Sequence, residues 1–248
     1  MAVSMAIWRA IEKEGNLSIV DIAEYTAGHS LGEYTALTAA GAISLADAAR
    51  LLRIRGNAMQ EAVPAGKGGM AALIGVEFDK AREIADRVTN GEICQPANDN
   101  GGGQVVLSGT SAAIDQAIAL APEYGIKRAI KLPVSAPFHS SLMEPAAQVM
   151  QEALAEANVQ APAVPLIANV TAAEVTEPEQ IKALLVEQVT GTVRWRESML
   201  YLKQQSVESV VEVGAGKVLA GLAKRIDRSL KAVSIQTPED MESFLKDH

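Results

Sequence analysis

A serine with a glycine two residues to either side is the group in this chain whose setting most favours covalent chemistry. Residues 28–32 read Gly-His-Ser-Leu-Gly, a pattern that places a serine at the apex of a sharp strand-to-helix turn. The segment 22–27 is expected to form the strand, and a helix is expected from Ser30 or Leu31 to Gly41. We therefore expect Ser30 to be a nucleophile and the Leu31 N–H to stabilise an oxyanion. A glycine-flanked helix cap is the structural alternative.

A serine nucleophile needs a base, and the sequence offers three histidines, at positions 29, 139 and 248. His248 is the last residue, where chain ends fray. His29 is adjacent to Ser30, so its side chain is expected to point away from the serine. His139 lies in the loop 135–141, whose proline and serines are typical of a rigid functional connection. We expect His139 to be the base, with a structural core histidine as the alternative. No acidic residue is an obvious third member, and a backbone carbonyl can orient the ring instead.

The composition excludes several classes of protein. With 48% hydrophobic residues in 248, the chain can bury a large core. The 30 acidic against 22 basic residues give a net charge of −8, which opposes a broad nucleic-acid surface. One cysteine, Cys94, permits no internal disulfide and no zinc-type cluster, as expected of a cytosolic protein. No run of about 18 uncharged apolar residues is present, so no membrane span is expected.

The order of predicted elements indicates an α/β fold with an insertion. After the break at 63–69, the order strand 70–76, helix 79–88, strand 93–97, strand 104–109, helix 111–124 and strand 128–134 is βαββαβ, typical of a ferredoxin-like unit. Strands and helices alternate around it, with strands at 164–170, 207–213 and 232–235 and helices at 5–13, 45–60, 142–157, 178–189, 196–205, 217–230 and 238–246. This alternation predicts a parallel sheet covered by helices. We expect a large subdomain, residues 1–62 and 138–248, and a small ferredoxin-like subdomain, residues 63–137.

Five segments together resemble the malonyl-CoA:acyl carrier protein transacylases. They are GHSLGEYTA at 28–36, LLRIRGNAMQEA at 51–62, QPAND at 95–99 with GQVVLSG at 103–109, APFHSSLM at 136–143 and VVEVGAGKVLAGL at 210–222. The resemblance implies an α/β-hydrolase-like large subdomain and malonyl transfer, through Ser30 with His139 as base, from malonyl-CoA to the phosphopantetheine thiol of acyl carrier protein. It further implies a role in fatty acid biosynthesis without a cofactor, and we expect a cytosolic monomer.

The same resemblance assigns roles to further residues. Arg55 is implied to bind the malonyl carboxylate, which a planar guanidinium can grip with two hydrogen bonds; a surface helix arginine is the alternative. Phe138 is implied to leave no room for a methyl branch, with core packing as the alternative. The main-chain carbonyl of Gln188 is implied to accept a hydrogen bond from the histidine. Pocket-lining positions are implied at Asn98, Met59 and Val218.

The sequence departs from the family pattern at its start. The resemblance implies a first strand and a GQGSQ-like loop, whose glutamine supplies a second oxyanion donor, ahead of the elbow. Neither is present, so a truncated and inactive family member is the main alternative. Loss of one oxyanion donor costs about 10²- to 10³-fold in rate.

Two other functions and one docking question stay open from the sequence. An esterase or thioesterase would use the same serine and histidine but has no need of Arg55. The segment 211–216 gives a weak dinucleotide-binding signal, because Leu219 replaces the third glycine of GxGxxG. An acidic carrier protein needs a basic landing surface, and the candidates are two clusters, Lys127, Arg128 and Lys131, and Lys224, Arg225, Arg228 and Lys231. A solvated face is the alternative for each cluster.

Overall fold

The computed structural model describes residues 1–89, 91–134 and 136–246. The α-helices are α1 (Ala2–Gly15), α2 (Ile19–Ile22), α3 (Leu31–Ala39), α4 (Leu45–Glu61), α5 (Phe78–Asp86), α6 (Ser111–Leu120), α7 (Glu144–Ala155), α8 (Pro178–Thr190), α9 (Trp195–Gln204), α10 (Val218–Ile226) and α11 (Pro238–Lys246). The strands are β1 (Thr26–Ala27), β2 (Gly68–Ile74), β3 (Cys94–Gly101), β4 (Gln104–Thr110), β5 (Arg128–Lys131), β6 (Leu166–Ile167), β7 (Glu174–Val175), β8 (Ser209–Val213) and β9 (Lys231–Ile235).

Four strands form an antiparallel sheet in the order β3-β4-β2-β5. Apolar residues alternate along β2, so Ala71 and Leu73 face one side of the sheet while Met70 and Ala72 face the other. The first side carries α5 and α6, which bury Ile84 and Ile114 against the strands. This strand order and the two helices on one face confirm the predicted ferredoxin-like unit.

The outer edge of this sheet, along β3, is covered by a segment that follows α8. Asn98 forms a parallel bridge with Val193. The Asp99 N–H donates to the Val193 carbonyl at 2.9 Å, and the Val193 N–H donates to the Ala97 carbonyl at 2.9 Å. Two register shifts, between Pro96 and Asn98 and between Asp99 and Gly101, make β3 irregular where this pairing occurs. Such bulges bend a strand and re-aim its side chains.

The remaining strands are short and include the parallel pairs that the alternation predicts. β1 pairs with β6 in parallel, and β8 pairs with β9 in parallel over five residues. β7 adds to β6 in antiparallel orientation. Around β8 and β9, helices α1 and α11 bury an apolar cluster of Met5, Trp8, Ile11, Ile235 and Met241. The α/β class with a parallel component and an inserted antiparallel sheet is confirmed.

The chain divides into two compact units. The serine unit comprises Met1–Ala49, Asn158–Ile181 and the residues from Glu197 on, and the histidine unit comprises Arg50–Ala157 and Lys182–Arg196. The subdomain boundaries expected from the sequence, at 62/63 and 137/138, stay a prediction. Across the residues that the structure describes, no helix combines the length and apolarity needed to cross a membrane.

Several predicted element boundaries are wrong. The expected strand 22–27 is reduced to β1 (Thr26–Ala27), and Ile22 instead ends helix α2, which begins after Ser18, whose N–H donates to Asp21 Oδ2 at 2.7 Å. The expected strand 164–170 is reduced to β6. The chain turns directly after β6, and the Ala172 N–H donates to the Ala168 carbonyl in this turn. The helix expected over 217–230 ends at Ile226. The two-residue strand β7 was missed because so short a segment shows no periodicity.

Candidate active site

The serine elbow is formed by β1, residues 28–30 and α3. Ser30 has φ 52° and ψ −108°, a backbone conformation that non-glycine residues rarely adopt and that persists only when its surroundings enforce it. A Cβ on Gly28 would lie 2.0 Å from the Gly32 carbonyl oxygen. Only glycine fits at position 28, and the chain can therefore turn back on itself tightly enough to present Ser30 at the N-terminus of α3.

Asn169 holds the elbow in place from the segment that follows β6. Its Oδ1 accepts from the Ser30 N–H at 2.7 Å, and its Nδ2 donates to the Gly28 carbonyl at 2.8 Å. The Asn169 N–H donates in turn to Glu33 Oε2 at 3.3 Å. Both Asn169 and Glu33 are buried. Sequence reasoning missed this residue; the available signal was an asparagine at the end of the apolar segment 164–170.

His139 is oriented by a main-chain carbonyl. It is buried, has φ 58°, and its Nδ1 lies 2.8 Å from the Gln188 carbonyl oxygen. Because a carbonyl only accepts hydrogen bonds, Nδ1 must carry the proton, and Nε2 then carries the lone pair of the neutral ring. The ring is thereby set up as a base at Nε2.

Gln188 also binds the arginine on α4. Its side-chain Oε1 accepts from Arg55 Nη2 at 2.9 Å. Arg55 is 7% exposed and Gln188 is fully buried, so Arg55 is not a surface helix arginine. One residue of α8 thus contacts both His139, through its backbone, and Arg55, through its side chain. A fixed, buried guanidinium is suited to binding a carboxylate.

The other predicted residues lie in different surroundings. In the histidine unit, Phe138 packs against the apolar face of Met70, Ala72, Ala97 and Val106, while Met59 and Asn98 are buried. In the serine unit, Leu31 is 44% and Val218 is 68% exposed. The N–H of Leu31 is in the first turn of α3, where N–H groups have no acceptor within the helix.

Of the two histidines that were not chosen as the base, the structure describes only one. His29 is half-buried in the elbow, whereas His248 lies outside the described residues, as does Ser135 of the loop before His139.

Over the described part of the chain, no group of three or more His, Cys, Asp or Glu side chains could hold a metal ion. Burial, followed by the Asp86 carboxylate, raises the pKa of the Cys94 thiol to about 12.

Comparison with known proteins gives first the class and then the family. The family model described as "Acyl transferase domain" matches residues 21–239, so the chain is an acyltransferase. A malonyl CoA-acyl carrier protein transacylase from Bacillus subtilis is 47% identical over 220 residues, covering 88% of this chain and 69% of the relative. The chain belongs to the family of malonyl-CoA:acyl carrier protein transacylases.

Solved structures agree with this assignment. An acyl-carrier-protein-S-malonyltransferase from Bartonella henselae matches with a TM-score of 0.96 at 53% identity, covering 99% of this chain and 78% of that chain. A malonyl-transacylase solved in complex with its type II PKS acyl-carrier protein matches with a TM-score of 0.95 at 37% identity, covering 100% and 79%. Both likenesses extend over the whole fold described above.

Proposed function

We propose that this chain moves a malonyl group from malonyl-CoA to the phosphopantetheine thiol of acyl carrier protein, through an acyl-enzyme on Ser30, in fatty acid biosynthesis. The observation that carries the proposal is the double contact of Gln188. It holds a buried arginine, suited to an acid-bearing acyl group, on the same residue that orients the histidine. The names of the relatives support the choice of acyl donor and acceptor.

In the first half-reaction, His139 Nε2 takes the proton of Ser30 while the serine oxygen attacks the thioester carbonyl carbon. The carbonyl oxygen becomes an oxyanion, which the Leu31 N–H stabilises at the N-terminus of α3. The carbon–sulfur bond then breaks, and the leaving CoA thiolate takes the proton from the imidazolium. The product is malonyl-Ser30.

In the second half-reaction, the carrier's thiol takes the place of CoA. His139 removes the thiol proton, the sulfur attacks the ester carbonyl, and the serine oxygen leaves with the proton from the imidazolium. Every bond and proton is accounted for by the serine, the histidine and the two thiols. We therefore propose that the reaction uses no cofactor.

Arg55 sets the acyl selectivity in this proposal. The malonyl carboxylate binds a guanidinium whose position Gln188 fixes, and charge-assisted hydrogen bonds of this kind are worth about 1.5–3 kcal/mol. Phe138 restricts substitution next to the acyl chain, and Met59, Asn98 and Val218 line the site. The roles of these four residues are those that the family resemblance implies.

The carrier protein is proposed to dock on basic surface. In the serine unit, Lys224, Arg228 and Lys231 line a surface cavity of about 540 Å³ together with Leu230, Ala232 and Val233. In the histidine unit, Lys131 forms an exposed ion pair with Asp115 at 2.6 Å, which offsets part of the charge of that cluster. We therefore propose the cavity surface of Lys224, Arg228 and Lys231 as the landing site for the acidic partner. We propose a cytosolic monomer.

A transfer assay with two arginine variants tests the proposal. Malonyl-CoA and holo carrier protein are supplied, and malonyl-carrier and free malonate are both quantified. Arg55→Ala is expected to lower kcat/KM for malonyl-CoA by about 10- to 100-fold, without a matching loss for acetyl-CoA. Arg53→Ala, on the same helix but exposed, is the matched control and is expected to behave like the wild type.

The rival functions predict different products in the same assay. An esterase or thioesterase would release malonate to water without forming malonyl-carrier. A folded protein that forms neither product would be an inactive family member. Equal losses for malonyl-CoA and acetyl-CoA in Arg55→Ala would contradict the assigned role of Arg55. NAD(P) binding in a titration would favour the dinucleotide-binding alternative.

A further inference from the structure

The Gln188 carbonyl is available to His139 because α8 ends where it does. In a continuing α-helix, the N–H four residues on, that of Thr192, would bind the Gln188 carbonyl. Instead, the helix closes with the Gly191 N–H donating to the Glu187 carbonyl at 2.8 Å, and the chain leaves the helical path. Helix ends leave their last carbonyls without helical partners, and here one such carbonyl accepts from the proposed base.

The chain leaves the helix because it is attached to β3. Thr192 Oγ1 donates to the Pro96 carbonyl at 2.6 Å, and Val193 exchanges two backbone hydrogen bonds with Ala97 and Asp99. Val193 is fully buried. Since only four residues separate Gln188 from Val193, a shift of this attachment must be transmitted to the carbonyl that orients His139.

An ion pair locks the attachment. Arg196 Nε donates to Asp99 Oδ2 at 2.8 Å, with side-chain exposures of 34% and 2% respectively. The second oxygen, Asp99 Oδ1, accepts from the Gly101 N–H at 3.3 Å. The Asp99 carboxylate therefore joins the bulged edge of β3 to the first turn of α9. A carboxylate this deeply buried is costly to leave without its cationic partner.

We propose that Asp99 and Arg196 are positioning residues for the acyl-transfer reaction. Their ion pair fixes residues 192–196 on β3, this fixes the end of α8, and Gln188 then presents its carbonyl to His139 and its side chain to Arg55. In this proposal both residues act through Gln188 and not by contacting the substrate. The inference rests on the proposed roles of His139 and Arg55, and it adds two polar residues to the determinants of base orientation and acyl selectivity.

Kinetics and NMR of Asp99→Asn and Arg196→Gln test the inference. Both variants are expected to lower kcat by about tenfold or more and to raise KM for malonyl-CoA, because His139 and Arg55 lose their common support. The imidazole ¹⁵N shifts of His139 are expected to show loss of the single Nδ1–H tautomer. Arg196→Lys, which keeps the positive charge, is expected to recover part of kcat and part of the tautomer signal.

The control is Asp115→Asn, which removes the exposed ion pair with Lys131 in the same unit and is expected to stay within about twofold of wild type. The inference is overturned if Asp99→Asn and Arg196→Gln match this control in kcat, KM and His139 shifts while His139→Ala and Arg55→Ala are impaired. If the last two variants retain wild-type transfer, the proposed function itself is wrong. Should Asp99→Asn or Arg196→Gln fail to fold, the double variant Asp99→Asn/Arg196→Gln, which leaves no buried charge unpaired, decides.

Discussion

Backbone strain coincides with the two residues that are proposed to exchange a proton. Ser30 and His139 are two of five described non-glycine residues with positive φ, at 52° and 58°. Such conformations cost about 1–3 kcal/mol and persist only where neighbouring groups enforce them. Asn169 and Gly28 enforce the first, and the buried setting of His139 beside Gln188 accompanies the second. Strain at these positions is consistent with side chains that are held in place for reaction.

The two glycines of the elbow are predicted to differ sharply. Gly28→Ala places a Cβ 2.0 Å from the Gly32 carbonyl oxygen, whereas a Cβ on Gly32 meets no described heavy atom within 4 Å. We expect Gly28→Ala to lower the free energy of unfolding by about 3 kcal/mol or more and Gly32→Ala to change it by less than about 1 kcal/mol. Urea denaturation measures both. Equal effects would contradict the elbow geometry.

Cys94 is predicted to be unreactive in the folded protein. Thiolate is the nucleophilic form, and burial raises the pKa of this thiol to about 12. At pH 8 only roughly one molecule in 10⁴ then carries the thiolate. We expect iodoacetamide to modify Cys94 slowly at pH 8, to react faster as the pH rises, and to label unfolded protein readily. Rapid modification of the native protein, followed by mass spectrometry, would be the contrary result.

At the scale of elements, one side chain connects β6 to the elbow before α3. Asn169→Ala removes the acceptor of the Ser30 N–H and the donor to the Gly28 carbonyl. Each buried group left unpaired costs about 1–3 kcal/mol. We therefore expect a loss of about 2–4 kcal/mol in the free energy of unfolding and at least tenfold slower acylation.

Asn169→Asp separates the two hydrogen bonds of that residue. The carboxylate still accepts from Ser30 but places an oxygen against the Gly28 carbonyl, so Asp is expected to be no better than Ala. Stopped-flow acylation and urea denaturation give the two readouts. Wild-type values for both variants would show that Asn169 does not hold the elbow.

The elements that sequence predicts well are those with long periodic patterns. The strands and helices of the ferredoxin-like unit each show a hydrophobic period over several residues, and the order of the elements followed from these periods. β1, β6 and β7 are two residues each, too short for any period to appear. The contacts that position the site were also out of reach, since Asn169 lies 139 residues from Ser30 and Arg196 lies 97 residues from Asp99. A single sequence gives no sign of such pairs.

The sequence predicts the reactive groups of the candidate site better than the residues that hold those groups in place. Ser30 stood out through its glycines, and His139 through the shortage of other histidines. The carbonyl of Gln188 came from the family resemblance, while its side-chain hydrogen bond to Arg55 was not foreseen. Residue types reveal nucleophiles and bases, whereas the groups that orient them depend on the three-dimensional packing.

At the scale of the whole molecule, the proposed reaction draws on both compact units. The serine unit supplies Ser30 and the Leu31 N–H, and the histidine unit supplies His139, Gln188 and Arg55. Ser30 and the proposed base His139 therefore belong to different units. By the proposed mechanism, acylation of Ser30 depends on a residue of the histidine unit.

The most direct test is the site of acylation in the intact chain. The protein is incubated with malonyl-CoA in the absence of carrier protein, quenched in acid and digested for peptide mass spectrometry, alongside Ser30→Ala and His139→Ala. We predict one malonyl group on Ser30, none on Ser30→Ala, and a rate about 10²- to 10⁴-fold lower for His139→Ala. A folded wild-type protein that acquires no adduct, or acquires it at another residue, would contradict the account.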